Sequence, residues 1–230
     1  MEQKAYTLVN ANLIDPESNY QGLGSLTIEN GNIISVNGLS IGEEVDCQKA
    51  FLAPGIIDMG VKICEPGERH KESFKSAAAA AAAGGVTTMV TRPDTNPPVD
   101  TPEILGFFMR RAEQVSPIKI FPMAALTKNL AGKELTEMAF LSDMGAVAFT
   151  NGLKQVANPK VFLNALKYAA DLGSLIVGHP QDINLSKDTS ATSSPFATLR
   201  GLPAVSTIAE KLAIDRDITL TKSTKARYHA

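Results

Sequence analysis

The sequence is poor in the residues that build disulfide frameworks and metal centres. Its 230 residues include two cysteines, Cys47 and Cys64, and three histidines, His70, His179 and His229. Two cysteines are too few for a disulfide framework or a thiolate metal site, so we expect a reducing, cytoplasmic compartment. Three histidines are few for a hydrolytic metal centre, which commonly takes three or more histidine or carboxylate ligands.

An excess of charge of one sign is also missing, as is a long apolar segment. Lys and Arg number 22 against 24 Asp and Glu, a formal net charge of −2, which argues against binding to nucleic-acid phosphates. No window approaches the roughly 18 uninterrupted apolar residues of a membrane-spanning helix. The first dozen residues have no basic segment leading into an apolar core, so we expect no secretory signal. The composition is that of an ordinary globular protein that binds neither nucleic acid nor membrane.

The first fifty residues have the pattern of β-structure. The segments 6–9 and 25–28 carry the β-branched, partly alternating pattern of half-buried strands. Asn30 and Gly31 lie between strand-like residues, which predicts a hairpin because both residue types tolerate a positive φ. We therefore predict a small β module without a visible catalytic set.

From residue 51 onward, short apolar runs alternate with helical segments. The runs are 51–57, 86–90, 118–126, 146–150 and 175–177; the helices are 72–83, 102–115, 134–144 and 159–172, and a last helix, 205–221, leads into 226–230. Glycines at 84–85, 145 and 173 follow three of the helices, where a C-cap glycine is common. This alternation predicts an α/β fold with a parallel sheet.

Polar residues follow each apolar run. They occupy 58–65, 91–96, 127–128, 150–152 and 178–182. In an α/β barrel the chemistry collects at the carboxyl ends of the strands, so these segments hold the candidate site. No glycine-rich phosphate loop accompanies them, because Gly84 and Gly85 close a helix instead of opening one.

Several stretches together resemble one family. They are APGIIDMGVKICEPG at 53–67, AGGVTT at 83–88, RPDTNPPVD at 92–100, GAVAFT at 145–150, GHPQD at 178–182, and the segment from GLP at 201–203 to Arg216-Asp217. In this order they resemble the dihydroorotase branch of the amidohydrolase superfamily, over about residue 8 to residue 230. The resemblance implies part of a composite β-sandwich domain in residues 1–52, followed in 53–230 by a (β/α)8 TIM barrel of the metal-dependent hydrolase type.

The positions that hold zinc in this family are altered. The family's first strand ends Asp-x-His-x-His, but Gly60 and Lys62 occupy the two histidine positions. Glycine has no ligand atom, and an ammonium group repels a cation. The family's fourth strand delivers an aspartate, where this chain has Asn151, and only the fifth-strand histidine, His179, is kept. The sixth-strand histidine and the eighth-strand aspartate, the general base, would lie beyond Ala230.

The substrate positions differ as well. The family's arginine, which grips the substrate carboxylate bidentately, is replaced by Cys64, and the asparagine of its Pro-Asn-Thr motif is replaced by Asp94, whose charge opposes an anionic substrate. Lys62 is expected either to replace the missing metal charge by pairing with Asp58 or Asp94, since buried charges persist when paired, or to be a solvated lysine in an opened cleft.

The remaining candidates have plainer interpretations. We expect His179 to be a polar residue at a strand end; a zinc ligand is the less favoured alternative. Cys64 is expected to be a structural thiol, although a neighbouring cation could activate it. Glu65, beside a Pro-Gly pair, is expected to be a loop residue that shapes a turn, and His70 is expected to be exposed.

Three functions remain open. The first is a catalytically inactive dihydroorotase homologue of de novo pyrimidine biosynthesis, without a cofactor, that associates with aspartate transcarbamoylase or with itself. The second is an active cyclic-amide hydrolase (dihydroorotase, or hydantoinase- or allantoinase-like) with unusual zinc ligands such as Asp58, Asp94, Asp182 or His229. The third is a small-ligand sensor in which Lys62 and Arg92 hold an anion.

The length bears on all three. A complete (β/α)8 barrel takes roughly 250 residues, or about 31 per unit, whereas about 175 residues follow the β module. We therefore expect five βα units and the start of a sixth strand at 226–230. Such an open sheet leaves strand edges and apolar surface unpaired, so we expect stability only when the missing part, a partner or a second copy covers them.

Overall fold

The computed structural model describes residues 5–230. The chain divides into two compact units, and the boundary falls between Gly55 and Ile56, three residues after the predicted position. The run 51–57, predicted as one strand, is two strands in two different sheets, Phe51–Leu52 and Ile56–Val61. The segment between them includes Pro54, which has no N–H to donate to a ladder.

The first unit is a mixed five-stranded sheet. Its strands are β1 (Ala5–Asp15), β2 (Tyr20–Glu29), β3 (Asn32–Val36), β4 (Glu43–Asp46) and β5 (Phe51–Leu52). Strands β3, β2 and β1 pair in antiparallel order, and β4 and β5 both pair with β1 in parallel. The predicted hairpin is confirmed: Asn30 and Gly31 have φ of 52° and 78°, the backbone that a two-residue turn between twisted strands requires.

The second unit is built from alternating strands and helices. In chain order they are β6 (Ile56–Val61), α1 (Phe74–Ala83), β7 (Val86–Thr91), α2 (Pro102–Val115), β8 (Lys119–Ala125), the 3-10 helix Lys128–Leu130, α3 (Met138–Asp143), β9 (Ala148–Thr150), α4 (Pro159–Leu172), β10 (Leu175–Val177), α5 (Ile183–Ser186), β11 (Ala191–Thr192), α6 (Pro195–Leu199), β12 (Ala204–Val205), α7 (Ile208–Thr224) and β13 (Arg227–His229).

Six of these strands form one parallel sheet. Its order is β6-β7-β8-β9-β10-β13, and every neighbouring pair is parallel. The predicted α/β class with a parallel sheet is confirmed. Strands β11 and β12, which come between β10 and β13 along the chain, form a separate parallel pair. The sequence pattern predicts no helix or strand between residues 177 and 205.

The core of the second unit lies between the sheet and its helices. Phe74 and Phe108 meet edge to face, with ring centroids 4.6 Å apart, and Phe149, Leu166 and Ile176 are fully buried in the same cluster. Large apolar side chains placed on the inner faces of amphipathic helices supply the main stabilisation of such a layer.

Helix starts are set by local caps. Helix α1 begins at Phe74, two residues after the predicted start, because Ser73 caps it: its hydroxyl accepts from the Ser76 amide. Helix α4 matches the prediction, with Asn158 as N-cap and Gly173 at φ 66° as C-cap. In residues 5–230, no helix combines the length and the apolar character needed to cross a membrane.

Strand β6 differs from the sequence pattern at its carboxyl end. The strand continues to Val61, so Asp58 and Gly60, predicted to follow the strand, lie within it. The ladder to β7 is irregular between Met59 and Val61, and Gly60 between them has a φ of +92°. This local irregularity is a β-bulge, which a glycine accommodates without strain.

Candidate functional site

The carboxyl ends of the parallel strands carry the polar residues that the sequence singled out. Lys62 follows β6, Asp94 follows β7, Asn151 follows β9 and His179 follows β10. Because these strands are parallel, their carboxyl ends lie along one edge of the sheet. The four residues form two separate groups along that edge.

The first group is an ion cluster centred on Asp94. Lys62 Nζ lies 3.4 Å from Asp94 Oδ2. Arg92 grips the same carboxylate with both arms of its fork: Nε donates to Oδ1 at 3.1 Å and Nη2 donates to Oδ2 at 3.2 Å. Of the two partners expected for Lys62, Asp94 is the one in contact, and Asp58 is an exposed residue within β6.

The backbone at the end of β9 lies directly against this cluster. A Cβ atom added to Gly152 would lie 3.1 Å from Asp94 Cγ, and Gly152 has a φ of +63°. A larger residue there would be strained and would push against the carboxylate. Asp94 therefore links the ends of β6, β7 and β9 through two cations and one close packing contact.

The second group is centred on Asn151. Its side chain is buried, with 4% of its surface exposed. Its Oδ1 accepts from the Thr127 amide at 3.1 Å, and its Nδ2 donates to Thr127 Oγ1 at 2.8 Å. Both ends of the amide are thus used to tie the end of β8 to the end of β9.

His179 borders a small cavity between β10 and α7. The cavity, about 20 Å³ in volume, is lined by both apolar and polar residues; the polar ones include Asn151, Gln155, His179, Arg216 and Asp217. A space of this size holds about one water molecule. It is too small for a drug-sized or substrate-sized ligand, whose pockets span about 300–1,000 Å³.

Beside this cavity lies a buried ion pair that sequence reasoning missed. Arg216 donates to Asp217 Oδ1 through Nε at 2.8 Å and through Nη2 at 2.6 Å. Its Nη1 donates to the carbonyls of Val156 and Ala157 at 3.0 and 3.2 Å. Arg216 on α7 therefore holds the loop between β9 and α4. The only sequence signal for the ion pair was that Arg216 and Asp217 are adjacent.

Tyr228 completes this network from β13. Its hydroxyl donates to Asp217 Oδ2 at 2.8 Å, and Asp217 has only 2% of its surface exposed. Burial, the hydrogen bond to Asp217 and the charge of that carboxylate raise the pKa of Tyr228 far above its ordinary value. The phenol therefore stays protonated and serves as a donor to the buried carboxylate.

Glu65 has a larger structural role than a turn residue. The side chain is buried, with Oε2 accepting from the Phe74 amide at 3.0 Å and Oε1 accepting from Arg111 Nε at 2.9 Å. A carboxylate at the first amide of a helix also interacts favourably with the helix dipole. Glu65 lies in a turn after β6, as expected, and in addition joins this loop to the start of α1 and to α2. The neighbouring Cys64 is a partly buried free cysteine, and His70 is exposed as predicted.

The residues present do not fit the zinc site that the resemblance describes. Within residues 5–230, no group of three or more His, Cys, Asp or Glu side chains is placed to hold a metal ion. Gly60 offers no donor atom, and the amide of Asn151 is engaged with Thr127. Lys62 brings a positive charge into contact with Asp94. His179 belongs to no such group in the part of the chain that the structure describes.

The unusual ligands considered for an active enzyme do not converge either. Asp182 caps α5, with Oδ1 accepting from the amides of Asn184 and Leu185 at 2.9 and 3.0 Å. His229 is an exposed residue at the end of β13, and Asp58 is exposed within β6. Asp94 is held between Lys62 and Arg92.

The architecture identifies the fold. It is similar to that of L-hydantoinase (dihydropyrimidinase) from Arthrobacter aurescens, with a TM-score of 0.80 at 20% identity over 96% of this chain and 51% of that one. A D-hydantoinase structure gives a TM-score of 0.73 at 19% identity, over 97% and 51% of the two chains. At these identities the similarity shows the fold, an α/β fold with a parallel half-barrel sheet.

The sequence comparison identifies the family. Residues 49–230 match the family described as dihydro-orotase-like, and the chain belongs to it. A "Dihydroorotase-like protein" of Pseudomonas putida is 34% identical over 227 residues, which are 97% of this chain and 54% of that protein. A "Dihydroorotase" of Syntrophus aciditrophicus is 34% identical over 222 residues, 94% and 52% of the two. The chain spans about half the length of these relatives.

Proposed function

We propose that this protein is a catalytically inactive, cytoplasmic member of the dihydroorotase-like family that serves pyrimidine biosynthesis as a structural partner of aspartate transcarbamoylase. The observation that supports inactivity is that the family's metal and substrate positions carry side chains committed to other contacts. Lys62 and Asp94 are paired with each other, and Asn151 is bound to Thr127.

The chemistry of amide hydrolysis explains why these replacements matter. A catalytic zinc ion lowers the pKa of its bound water to about 7 and polarises the scissile carbonyl, which takes several converging ligands. A single imidazole, His179, does not provide that ligand set. The cluster of Lys62, Arg92 and Asp94 carries a formal charge of +1, so it disfavours a metal cation nearby.

The finer architecture belongs to the same proposal. The six parallel strands are part of a (β/α)8 barrel, and residues 1–52 are part of a composite β-sandwich. The supporting fact is that the matched relatives are about twice as long as this chain. Aspartate transcarbamoylase, or a second copy of the chain, would then associate with a barrel whose role is assembly.

Metal analysis of the purified protein, combined with a dihydroorotate hydrolysis assay, tests the loss of catalysis. We expect zinc far below one equivalent and no hydrolysis above the rate without protein, while an active dihydroorotase run in parallel hydrolyses the substrate. About one equivalent of zinc together with hydrolysis would overturn the proposal. The triple variant Gly60→His, Lys62→His, Asn151→Asp is a useful comparison: gain of bound zinc by that variant alone supports loss of an ancestral site.

The partnership needs its own experiment. Size-exclusion chromatography of the protein mixed with aspartate transcarbamoylase at micromolar concentration is expected to show a shared peak of larger size than either component. Separate elution would contradict the partnership and leave the question of catalysis untouched.

An active cyclic-amide hydrolase is the alternative function. What favours it is that relatives at 34–38% identity carry the name dihydroorotase, and that structures of the same fold carry the name hydantoinase. Zinc-supplemented protein assayed with dihydroorotate, hydantoin and allantoin separates the two. Hydrolysis of any of them by wild type, but not by His179→Ala, would establish the alternative.

A further inference from the structure

The ion cluster after β6 and β7 has the geometry of an occupied carboxylate-binding site. Arg92 presents its planar fork to both oxygens of Asp94, and Lys62 approaches one of those oxygens from the neighbouring strand. A two-armed guanidinium contact with an ammonium group beside it is how proteins recognise the carboxylate of a ligand. Here the carboxylate comes from the chain itself.

The cluster is partly shielded from solvent. The side chains of Arg92 and Asp94 are 18% and 19% exposed, whereas that of Lys62 is 43% exposed. Partial burial strengthens the attraction between a carboxylate and two cations compared with the same groups in water. Removing the Asp94 carboxylate would take away the group that Lys62 and Arg92 both contact.

Asp94 is held in the site by its loop. The Val99 amide donates to the carbonyl of Pro93 at 3.0 Å, and the Asn96 amide donates to the carbonyl of Pro66 at 3.3 Å. Gly152 also packs against the carboxylate. A tethered ligand has a high effective concentration, so a free carboxylate in solution competes poorly with it.

We propose that Lys62 and Arg92 form a binding site for a small carboxylate that the chain's own Asp94 occupies, so that the site is closed to free carboxylates in the wild-type protein. The site depends on these three residues alone and requires neither zinc nor an assembly partner. The test of this site can therefore succeed or fail independently of the test of the proposed function. It also revises the sensor hypothesis, since the two cations expected to hold an external anion already hold an internal one.

Acetate rescue of the Asp94→Ala variant tests this site, because acetate has the same shape as the side chain that is removed. Thermal unfolding of the full chain is measured in sodium acetate and in sodium chloride of equal ionic strength. At about five times the dissociation constant of acetate, the unfolding midpoint of Asp94→Ala is expected to rise by about 2–4 °C relative to chloride. Wild type is expected to show no such difference.

Two controls make the result specific. The double variant Arg92→Gln/Asp94→Ala lacks the fork and is expected to lose the acetate response, and Asp143→Ala, which removes an exposed carboxylate on α3, is expected to show none. An equal response of wild type and Asp94→Ala, or a response that survives the loss of Arg92, overturns the proposal. If Asp94→Ala does not fold, Asp94→Asn is measured instead: a midpoint that depends on acetate more than wild type supports the site, and equal dependence overturns it.

Discussion

Asn151 and Thr127 are joined by hydrogen bonds that run in both directions. The amide of Thr127 donates to Asn151 Oδ1 at 3.1 Å, and Asn151 Nδ2 donates to Thr127 Oγ1 at 2.8 Å. Both residues are buried. The position that holds an aspartate ligand in the resembled family thus holds, in this chain, a neutral clamp between two adjacent strand ends.

Removing this clamp should reduce stability. Asn151→Ala leaves the buried Thr127 amide without an acceptor, which costs about 1–3 kcal/mol. We expect a loss of that size in the free energy of unfolding, measured by urea denaturation. Asn184→Ala, at an exposed position of α5, is the matched control and should change stability by less than about 0.5 kcal/mol. Equal effects of the two variants would show that the clamp contributes nothing.

The Tyr228 hydroxyl makes stability depend on pH in the alkaline range. An unfolded tyrosine has a pKa of about 10, and the folded value is raised by burial and by Asp217. Below pH 10 both states hold the proton, so the contribution is fully present. Above pH 10 the unfolded state loses its proton first, and stability falls as pH rises. Urea unfolding between pH 8 and 11 should therefore show a steeper decline for wild type than for Tyr228→Phe. Parallel curves would contradict the role given to this phenol.

Replacing Gly60, at the bulge in β6, should destabilise the protein through backbone strain and not through a side-chain clash. Gly60 has a φ of +92°, and nothing lies within 4 Å of the site of an added Cβ. Gly60→Ala should therefore destabilise the protein by about 1–2 kcal/mol through backbone strain alone. Gly84→Ala is the control, because Gly84 has a φ of −87° and an alanine there should be neutral or slightly stabilising. Chemical denaturation of both variants checks the difference, and a neutral Gly60→Ala would refute it.

Strand β6 is one of the two edge strands of the parallel sheet, and it exposes apolar side chains. Ile57 is 63% exposed, and exposed apolar edge strands pair with other chains. The 230-residue polypeptide on its own should self-associate in a concentration series followed by light scattering, and Ile57→Lys should reduce that association. Phe140→Lys, on α3 and 64% exposed, should not. A monodisperse, cooperatively folding monomer of 24.4 kDa would contradict this prediction.

Elements with strong local signals were predictable from sequence. Helix α4 has an asparagine cap, a proline in its first turn and a glycine after its end, so both boundaries matched. The β2–β3 hairpin followed from Asn30-Gly31 for the same reason. Strand β6 was misjudged because its apolar run is interrupted by Pro54, and because a glycine bulge extends it past the last apolar pair. The bulge is decided by pairing with β7, which the local pattern does not encode.

The site was predictable in part. The pairing of Lys62 with an aspartate followed from charge, but its sharing with Arg92 did not, because Arg92 and Asp94 are two residues apart in an irregular loop whose shape only the fold specifies. The partnership of Arg216, Asp217 and Tyr228 was missed for a related reason. It joins residues on α7 and β13 to carbonyls some sixty positions earlier, and nothing in the local sequence marks Asp217 as buried.

The glycine at the bulge in β6 also bears on whether a metal ligand could be introduced at this strand end. In the present backbone, a histidine at position 60 would adopt the φ of +92° that only glycine tolerates well. A reversion there would lower stability before any zinc could be gained, and Lys62 would still oppose the ion. If the chain descends from a metal-binding ancestor, a single substitution that restores histidine at position 60 would be selected against, because it destabilises the fold before it provides a metal site.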